Sequence, residues 1–547
     1  MNEKVILNKD SEYAKRRKKF SILSVIFSPM FFIVIFLLVE LFLIFYFLDV
    51  FYDIKLQIFI DVLNISEIIY LINSKKIKDS FKITWMVVFI IMPIFGVILY
   101  FILHFTQLFN GNRSKLRDLV IQSKKYFDFT YSNEIKNIIN DNYLKDDSSS
   151  FELKQQYTNE LSFLNYFHNH AKIPAYTNTI VHYFDNGKDA FENILYKLKM
   201  AKKFIFIEIF ILSDGIVWQE MLNILKEKAK EGVEIKIMVD GLNSVSFFRK
   251  SYCDYLKKFN IEARIFKPIS PLLSNTQNHR DHRKIFVIDN DVAFTGGINI
   301  ADEYANLYER FGNWKDSAIR VEGDAVESFT IMFLQVWEVA TSSRVFETGN
   351  YIEKYNKKLE SIDDNALYVP YTDYPNLSEN ISLQIYRYMF NTAKKFMYIM
   401  TPYLVIDEAL VDIIEAAAKR GVDIRIVVPR IPDKKYVFYV NRSYYRSLVL
   451  AGAKVYEYMP GFIHSKVYLQ DDVRAVVGTA NLDFRSLYLH YENGLYIFED
   501  NKALGDIHDD FDKLFSVSKE MTLSEIMKMP VRYRLWGALL KIFAPLM

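Results

Sequence analysis

Two stretches of the 547-residue chain place a histidine, a lysine and an aspartate at the same intervals: His282, Lys284 and Asp289, then His464, Lys466 and Asp471. A glycine-containing turn and an asparagine follow each one, Gly296, Gly297 and Asn299 in the first and Gly478, Thr479 and Asn481 in the second. Both asparagines lie 17 residues after their histidine. The flanking residues read as strand, where side chains two apart share a face. Each histidine is therefore expected beside a fixed positive charge, with a carboxamide alongside from a second strand.

These residue types suit phosphodiester chemistry. A neutral imidazole can attack phosphorus, and an imidazolium can protonate the leaving alcohol. Two lysines and two asparagines can hold the non-bridging oxygens, whose negative charge persists through the transition state. No metal or other cofactor is required by such a set. Histidine fits because an ordinary pKa of about 6.5 lets one copy be neutral and the other charged near pH 7. Asp289 and Asp471 complete the catalytic motifs, yet their odd offset turns them to the opposite strand face, and Asp289-Asn290-Asp291 reads as a turn; a structural role is expected for both. Better orienters for the imidazoles are Asp316, in Trp314-Lys315-Asp316, and Glu492, in His490-Tyr491-Glu492-Asn493. A carboxylate on the far ring nitrogen fixes the tautomer and stabilises the imidazolium.

The elements that must position these side chains follow an α/β rhythm. Phe204 to Leu212 reads as a buried strand, Val217 to Lys230 as a helix and Val233 to Val239 as an alternating strand. The rhythm repeats. Ala201-Lys-Lys-Phe204 has a counterpart at Ala393-Lys-Lys-Phe396, Gly232 to Val239 matches Gly421 to Val428, and His282 to Asp289 matches His464 to Asp471, at offsets of 192, 189 and 182 residues. The expectation is a duplicated unit, with halves at 171–345 and 346–520 and a linker over 111–170. Beyond it, 521–547 carries Arg532, Arg534 and Lys541 among Leu535, Trp536, Leu539 and Leu540. This reads either as an amphipathic helix on a bilayer surface or as a helix closing the second half's core.

Residues 1–110 are of another kind. Phe20 to Leu48 holds one formal charge, Glu40, and Ile83 to Phe105 holds none, so each is long enough to span a hydrocarbon core of about 30 Å. Leu56 to Ile72 is interrupted by Asp61 and Glu67 and either spans or lies at the interface. Two or three transmembrane helices are expected. Basic clusters before Phe20, around Lys75 to Lys82 and after Arg113 cannot all face the same side with full spans alone. A net charge of +2 argues against a nucleic-acid partner, and the single Cys253 excludes an intrachain disulfide and a cysteine-based zinc site. His168 and His170 lack a third ligand, and His279 and Arg280 read equally as phosphate binders or loop residues.

The paired motifs resemble the two HKD elements of the phospholipase D superfamily. Asn278-His-Arg-Asp-His-Arg-Lys-Ile285, Phe294-Thr-Gly-Gly-Ile-Asn299, Gly478-Thr-Ala-Asn-Leu-Asp-Phe-Arg-Ser486 and Trp85 to Leu103 are similar to the same regions of bacterial cardiolipin synthases. The resemblance implies α/β, duplicated phospholipase D-like domains, mixed sheets flanked by helices, behind N-terminal transmembrane helices in the bacterial plasma membrane. It implies His282 as nucleophile, His464 as general acid/base and Ser486 as a hydroxyl near the phosphate. The implied reaction converts two phosphatidylglycerols into cardiolipin and glycerol through a phosphohistidine. A membrane-bound hydrolase, or another phosphatidyl-transferase, is the alternative. The implied partners are phosphatidylglycerol, other anionic lipids and the bilayer. A catalytically silent scaffold is disfavoured because no histidine or lysine of either motif is missing.

Overall fold

The computed structural model describes residues 54–75, 77–93, 112–127, 150–245, 247–268, 278–348, 366–375 and 379–546, with isolated positions elsewhere. In the first half the strands are β1 Thr179–Phe184, β2 Phe204–Ile209, β3 Glu234–Asp240, β4 Ile261–Phe266, β5 Ile285–Ile288, β6 Val292–Gly296, β7 Asn313–Lys315 and β8 Ala318–Gly323. In the second they are β9 Leu367–Asp373, β10 Phe396–Met400, β11 Leu404–Val405, β12 Asp423–Pro429, β13 Lys454–Tyr458, β14 Gly461–Ile463, β15 Val467–Gln470, β16 Arg474–Gly478, β17 Leu482–Asp483, β18 Glu492–Phe498 and β19 Ser518–Glu520.

The first sheet runs β1-β8-β6-β5-β2-β3-β4, and the second runs β9-β18-β16-β15-β10-β12-β13 with β19 added at its edge. Strand by strand this is one topology used twice. In each sheet three strands pair in parallel, β2-β3-β4 and β10-β12-β13, and the rest are antiparallel. Alternation assigns the two faces. Ile205 and Ile207 of β2 join the first half's outer core, while Phe204 and Phe206 face a core shared by both halves. Met397 and Ile399 against Tyr398 and Met400 do the same in β10. The helix Val326–Thr341 lies within the shared core and is buried throughout from Val326 to Trp337. Its buried polar residues find partners there: Thr330 donates to Asn290, Gln335 donates to Ser123 at 2.7 Å and Ser328 shares a hydrogen bond with Tyr176 at 2.8 Å.

Two expected elements end early for local reasons. The strand beginning at Phe204 stops at Ile209. The Asn299 carboxamide accepts from the Ile211 amide at 3.0 Å and Asn243 accepts from Leu212 at 3.2 Å, drawing the chain out of the ladder. In the N-terminal region a helix over Asp79–Ile91 stops before Met92, where a continuous run to Phe105 was expected. Pro93 lacks an amide and disfavours helical geometry in the residue before it. Leu56 to Ile72 lies within one helix, Ile54–Asn73. Most of Phe20 to Leu48 lies outside the described residues. Among the described residues no helix is long and apolar enough to cross a membrane.

The N-terminal segment is joined to the second half. Thr84 donates to the Ile542 carbonyl at 2.7 Å, Phe81 meets Phe484 edge-on with ring centroids 6.3 Å apart, and the Lys78 ammonium sits 5.3 Å from the centre of the Tyr488 ring. The C-terminal helix Val531–Ile542 packs on the second half along one face and leaves another apolar face exposed. Gly537 packs so closely on the Tyr439 carbonyl that a Cβ would lie 2.7 Å away, whereas Val531, Leu535, Trp536 and Leu539 are exposed.

Candidate active site

His282 and Lys284 lie in the extended segment just before β5, and His464 and Lys466 lie between β14 and β15. They stand at the mouths of the strands, because their backbones pair across the halves. The His282 amide donates to the Tyr491 carbonyl at 2.9 Å, and the Tyr491 amide returns to Arg280 at 2.9 Å. The His464 amide donates to the Lys315 carbonyl at 2.7 Å, where β14 pairs with β7. The residues after Tyr491 and Lys315 are Glu492 and Asp316. Each histidine thus meets a carboxylate from the opposite half. His282 Nδ1 lies 2.9 Å from Glu492, and His464 Nδ1 lies 2.8 Å from Asp316. With Nδ1–H donating to the acid, Nε2 of each ring carries the lone pair needed for attack or proton uptake.

Close packing enforces this geometry. A Cβ on Gly297 would fall 1.9 Å from Asp316 Oδ1 and 2.9 Å from the His464 carbonyl, so only glycine lets the acid reach its histidine. At the matching position in the second half stands Thr479, whose hydroxyl donates to Glu492. Thr479 is a functional residue that sequence reasoning missed; its place in the second glycine turn was the available signal. Behind His282, buried Arg283 pairs with Glu208 and with Asp281, fixing the segment from the opposite side.

Burial dominates the electrostatics. It lowers His282 well below its ordinary value, and it lowers His464 to about 4, assisted by Lys466 and opposed by Asp316. Before a phosphate binds, burial thus favours the neutral form of both rings. Burial works to raise Asp316 and Glu492, but the adjacent imidazoles win and hold both below the usual carboxylate range. Burial brings Lys284 down to about 8 and Lys466 down to about 7. Lys284 also depresses Lys466 and His464, so the two motifs share one electrostatic site. Both ammonium groups donate to the carbonyl of the histidine two residues before them.

The remaining candidates divide. Asp289 accepts from the amides of Lys202, Lys203 and Phe204 at 2.7–2.8 Å, and Asp471 accepts from Lys394, Lys395 and Phe396 at 2.7–2.8 Å. Although they complete the catalytic motifs, their carboxylates tie the turns after β5 and β15 to β2 and β10, contacts of the structural kind expected of both. Asn299 spends its carbonyl on Ile211 and one N–H on Tyr304, at 2.8 Å. Asn481 Oδ1 and Ser486 Oγ are buried with no hydrogen-bond partner. The walls differ as well. Tyr304 and Trp314 pack on the His464 ring at 5.4 and 5.5 Å, while Phe210 and His490 lie 4.8 and 5.4 Å from the His282 ring. Among the described residues one group of potential metal ligands comes together, His282, His490 and Glu492, and it lies inside this site.

Two histidine–lysine pairs, each oriented by an acid from the other half of a duplicated α/β fold, define the class of two-domain phospholipase D-like phosphodiester-transfer proteins. A family model described as "Cardiolipin synthase, PLD-like domain" matches residues 194–322 and 386–515, and one described as "Phospholipase_D-nuclease N-terminal" matches 60–103. A cardiolipin synthase of Halalkalibacterium halodurans is 31% identical over 89% of this chain and 92% of its own. Cardiolipin synthase 2 of Bacillus anthracis is 31% identical over 88% of this chain and 89% of its own. An uncharacterised protein of Streptococcus mutans is 40% identical over 88% of this chain and all of its own. Among solved structures, the phosphatidylserine synthase of Haemophilus influenzae shares the fold, with a TM-score of 0.53 at 18% identity, covering 67% of this chain and 93% of that one. The chain belongs to the cardiolipin synthase family of the phospholipase D superfamily.

Proposed function

We infer that this chain is a cardiolipin synthase, a phosphatidyl-transferase that joins two phosphatidylglycerols. The observation that carries the reading is the reciprocal pairing of His282 with Glu492 and His464 with Asp316 across the halves. In the first step His282 Nε2 attacks the phosphorus of one phosphatidylglycerol. The bond from phosphorus to the glycerol headgroup oxygen breaks, and His464 gives that oxygen its proton. Glycerol leaves, and the phosphatidyl group remains on His282. In the second step the terminal hydroxyl of another phosphatidylglycerol passes its proton to His464 and attacks the same phosphorus. The phosphorus–nitrogen bond breaks and cardiolipin is released. Lys284, Lys466, Asn481 and Ser486 hold the phosphate oxygens. A bound phosphodiester carries the negative charge that raises the depressed imidazole pKa values, so His464 becomes an acid once substrate is present. The positive charge comes from the two lysines, which supports chemistry without a metal.

The reading extends to the membrane. Residues 1–110 are proposed as a multi-pass anchor in the bacterial plasma membrane, 111–170 as a linker, 171–345 and 346–520 as the catalytic halves and 521–547 as a segment against the bilayer. Exposed Ile58, Phe59, Val62, Ile65 and Ile69 on the helix Ile54–Asn73, and Leu535 and Trp536 on the C-terminal helix, support this. The anchor touches Phe484 and Tyr488, which flank Arg485 and Ser486, so the active site lies next to the lipid source. Incubating the purified full chain with phosphatidylglycerol vesicles tests the assignment, with products identified by mass. Cardiolipin and glycerol in nearly equal amounts are expected; phosphatidic acid as the main product would make water the acceptor and the protein a hydrolase.

A further inference from the structure

The two sides of the active site are not equivalent, although the fold that builds them is. Trp314 and His490 hold matching positions, each two residues before the acid that orients a histidine. Trp314 presents an aromatic wall to His464, and its indole N–H reaches Asp316 at 3.4 Å. His490 presents a buried ring, 9% exposed, with no hydrogen bond at either nitrogen; Glu492 stands 3.6 Å from its Nδ1. Close by in sequence, Arg485 Nε is also buried without a hydrogen-bond partner. The His490 amide is bonded to the Arg485 carbonyl at 2.9 Å, which keeps the two residues together. Unsatisfied buried donors are costly in a native site and mark a place where a ligand supplies the acceptor.

Further cations extend this cluster. Arg280, paired through its backbone with Tyr491, donates from Nη1 to the Lys267 carbonyl at 2.9 Å. The Lys267 ammonium donates to the Tyr491 hydroxyl at 3.1 Å, and among the described residues no carboxylate pairs with it. Among the described residues the acid paired with Arg280 is Asp240, 3.9 Å away, and burial pushes its pKa up to about 7 against the pull of Arg280. Burial lowers His490 and Arg280, and Arg485 adds to both against the pull of Glu492 and Asp240; burial, with Arg280 adding to it against Asp240 and Asp281, brings Lys267 to about 8. An anion placed among these cations relieves their mutual repulsion.

We propose that Arg485 and His490, backed by Arg280 and Lys267, form a second phosphate subsite beside the catalytic pair, which holds the phosphate of a second phospholipid. The proposal rests on the phosphatidyl-transfer reading. With its ring 5.4 Å from that of His282, His490 lies within reach of a ligand whose two phosphates are joined by one glycerol. Cardiolipin is such a ligand, as are the two lipids that form it. The first-half counterpart at this place is the aromatic wall of Trp314, so one side alone offers a second anion a berth.

Two measurements on the detergent-solubilised full chain test this. The first compares binding of glycerol 1,3-bisphosphate with glycerol 1-phosphate, in the wild type, Arg485→Gln, Arg485→Lys and the exposed control Lys419→Gln. The second phosphate should strengthen wild-type binding about tenfold, as one charge-assisted contact does. Arg485→Gln should lose most of that gain, whereas Arg485→Lys and the control should keep it. No gain in the wild type, or an equal gain in all four proteins, overturns the proposal. The second measurement takes the ratio of cardiolipin formation to exchange of labelled glycerol into phosphatidylglycerol. Arg485→Gln should lower that ratio about tenfold, because exchange uses one lipid phosphate and synthesis uses two. If binding changes and the ratio does not, the subsite takes a free phosphate and the lipid assignment is overturned. If the wild type makes no cardiolipin, the transferase reading fails, and the binding comparison still decides whether the subsite exists.

Discussion

Replacing Gly297 by alanine tests whether the cross-half carboxylate contact controls the chemistry. The added Cβ would stand 1.9 Å from Asp316 Oδ1, whereas ordinary contact begins near 3.4 Å, so the two must separate by 3.4 − 1.9 = 1.5 Å. The His464 carbonyl at 2.9 Å blocks retreat of the methyl group, leaving the carboxylate to move. Asp316 now lies 2.8 Å from His464, and such a shift takes it beyond hydrogen-bond range. Misplacing a catalytic group by about 1 Å costs roughly 100-fold, and losing an orienting acid costs up to about 10⁴-fold. Gly297→Ala is therefore expected to lower kcat for cardiolipin formation by about 10²- to 10⁴-fold. Gly505→Ala is the control. It lies in the helix Asn501–Ser516 with nothing within 4 Å of its new Cβ, and it should retain full activity. The assay is cardiolipin formed from phosphatidylglycerol vesicles by equal amounts of folded protein, with folding checked by circular dichroism. A Gly297→Ala protein within fivefold of wild type would refute the reasoning.

Four other outcomes follow from the same structure. The pH dependence of kcat/KM reports the free protein: on the acid side it should fall only well below the ordinary histidine value, where the nucleophile His282 takes up a proton and loses its lone pair, and it should fall again as pH rises through about 7 to 8, as Lys466 and Lys284 lose their charge; an alkaline limb beginning only near the ordinary lysine value would contradict the burial effect. His464 also makes stability rise with pH between about 4 and its unfolded value of about 6.5, since the unfolded chain binds the extra proton there, and urea midpoints across that window measure this. Asp289→Asn removes the charge from an acceptor of three backbone amides, so it should destabilise the fold by about 1–3 kcal/mol in chemical denaturation while lowering kcat of the folded fraction far less than His282→Ala does. Excess chelator should leave activity intact, because Lys284 and Lys466 supply the positive charge; loss of activity restored by one stoichiometric metal ion would point instead to His282, His490 and Glu492 as its ligands.

The duplication was readable because it is written in local pattern. Val233-Glu-Ile-Lys-Ile-Met-Val239 and Val422-Asp-Ile-Arg-Ile-Val-Val428 alternate as half-buried strands do, and the structure places them in matching strands, β3 and β12. Asp316 and Glu492 could be named as orienters from residue type and position. Which histidine each serves could not, since that depends on β7 pairing with β14 and on Tyr491 pairing with Arg280 and His282 across the halves. The depression of both histidine pKa values was not legible, because burial sets it and a sequence carries no burial. Thr479 and the contrast of Trp314 with His490 were printed in the chain, but their meaning depends on distances. The helix stop at Met92 needed only Pro93, a signal passed over in favour of bulk hydropathy.

Transfer by this route passes through a covalent phosphatidyl group held on the His282 imidazole. The direct measurement uses phosphatidylglycerol labelled at phosphorus, His282→Ala and His464→Ala proteins, and mass mapping of the acid-labile phosphohistidine. Label is predicted on His282 in the His464→Ala protein, where the nucleophile survives and turnover stalls. Label on His464 in the His282→Ala protein would reverse the two roles, and no label in any form of the protein would contradict the two-step transfer.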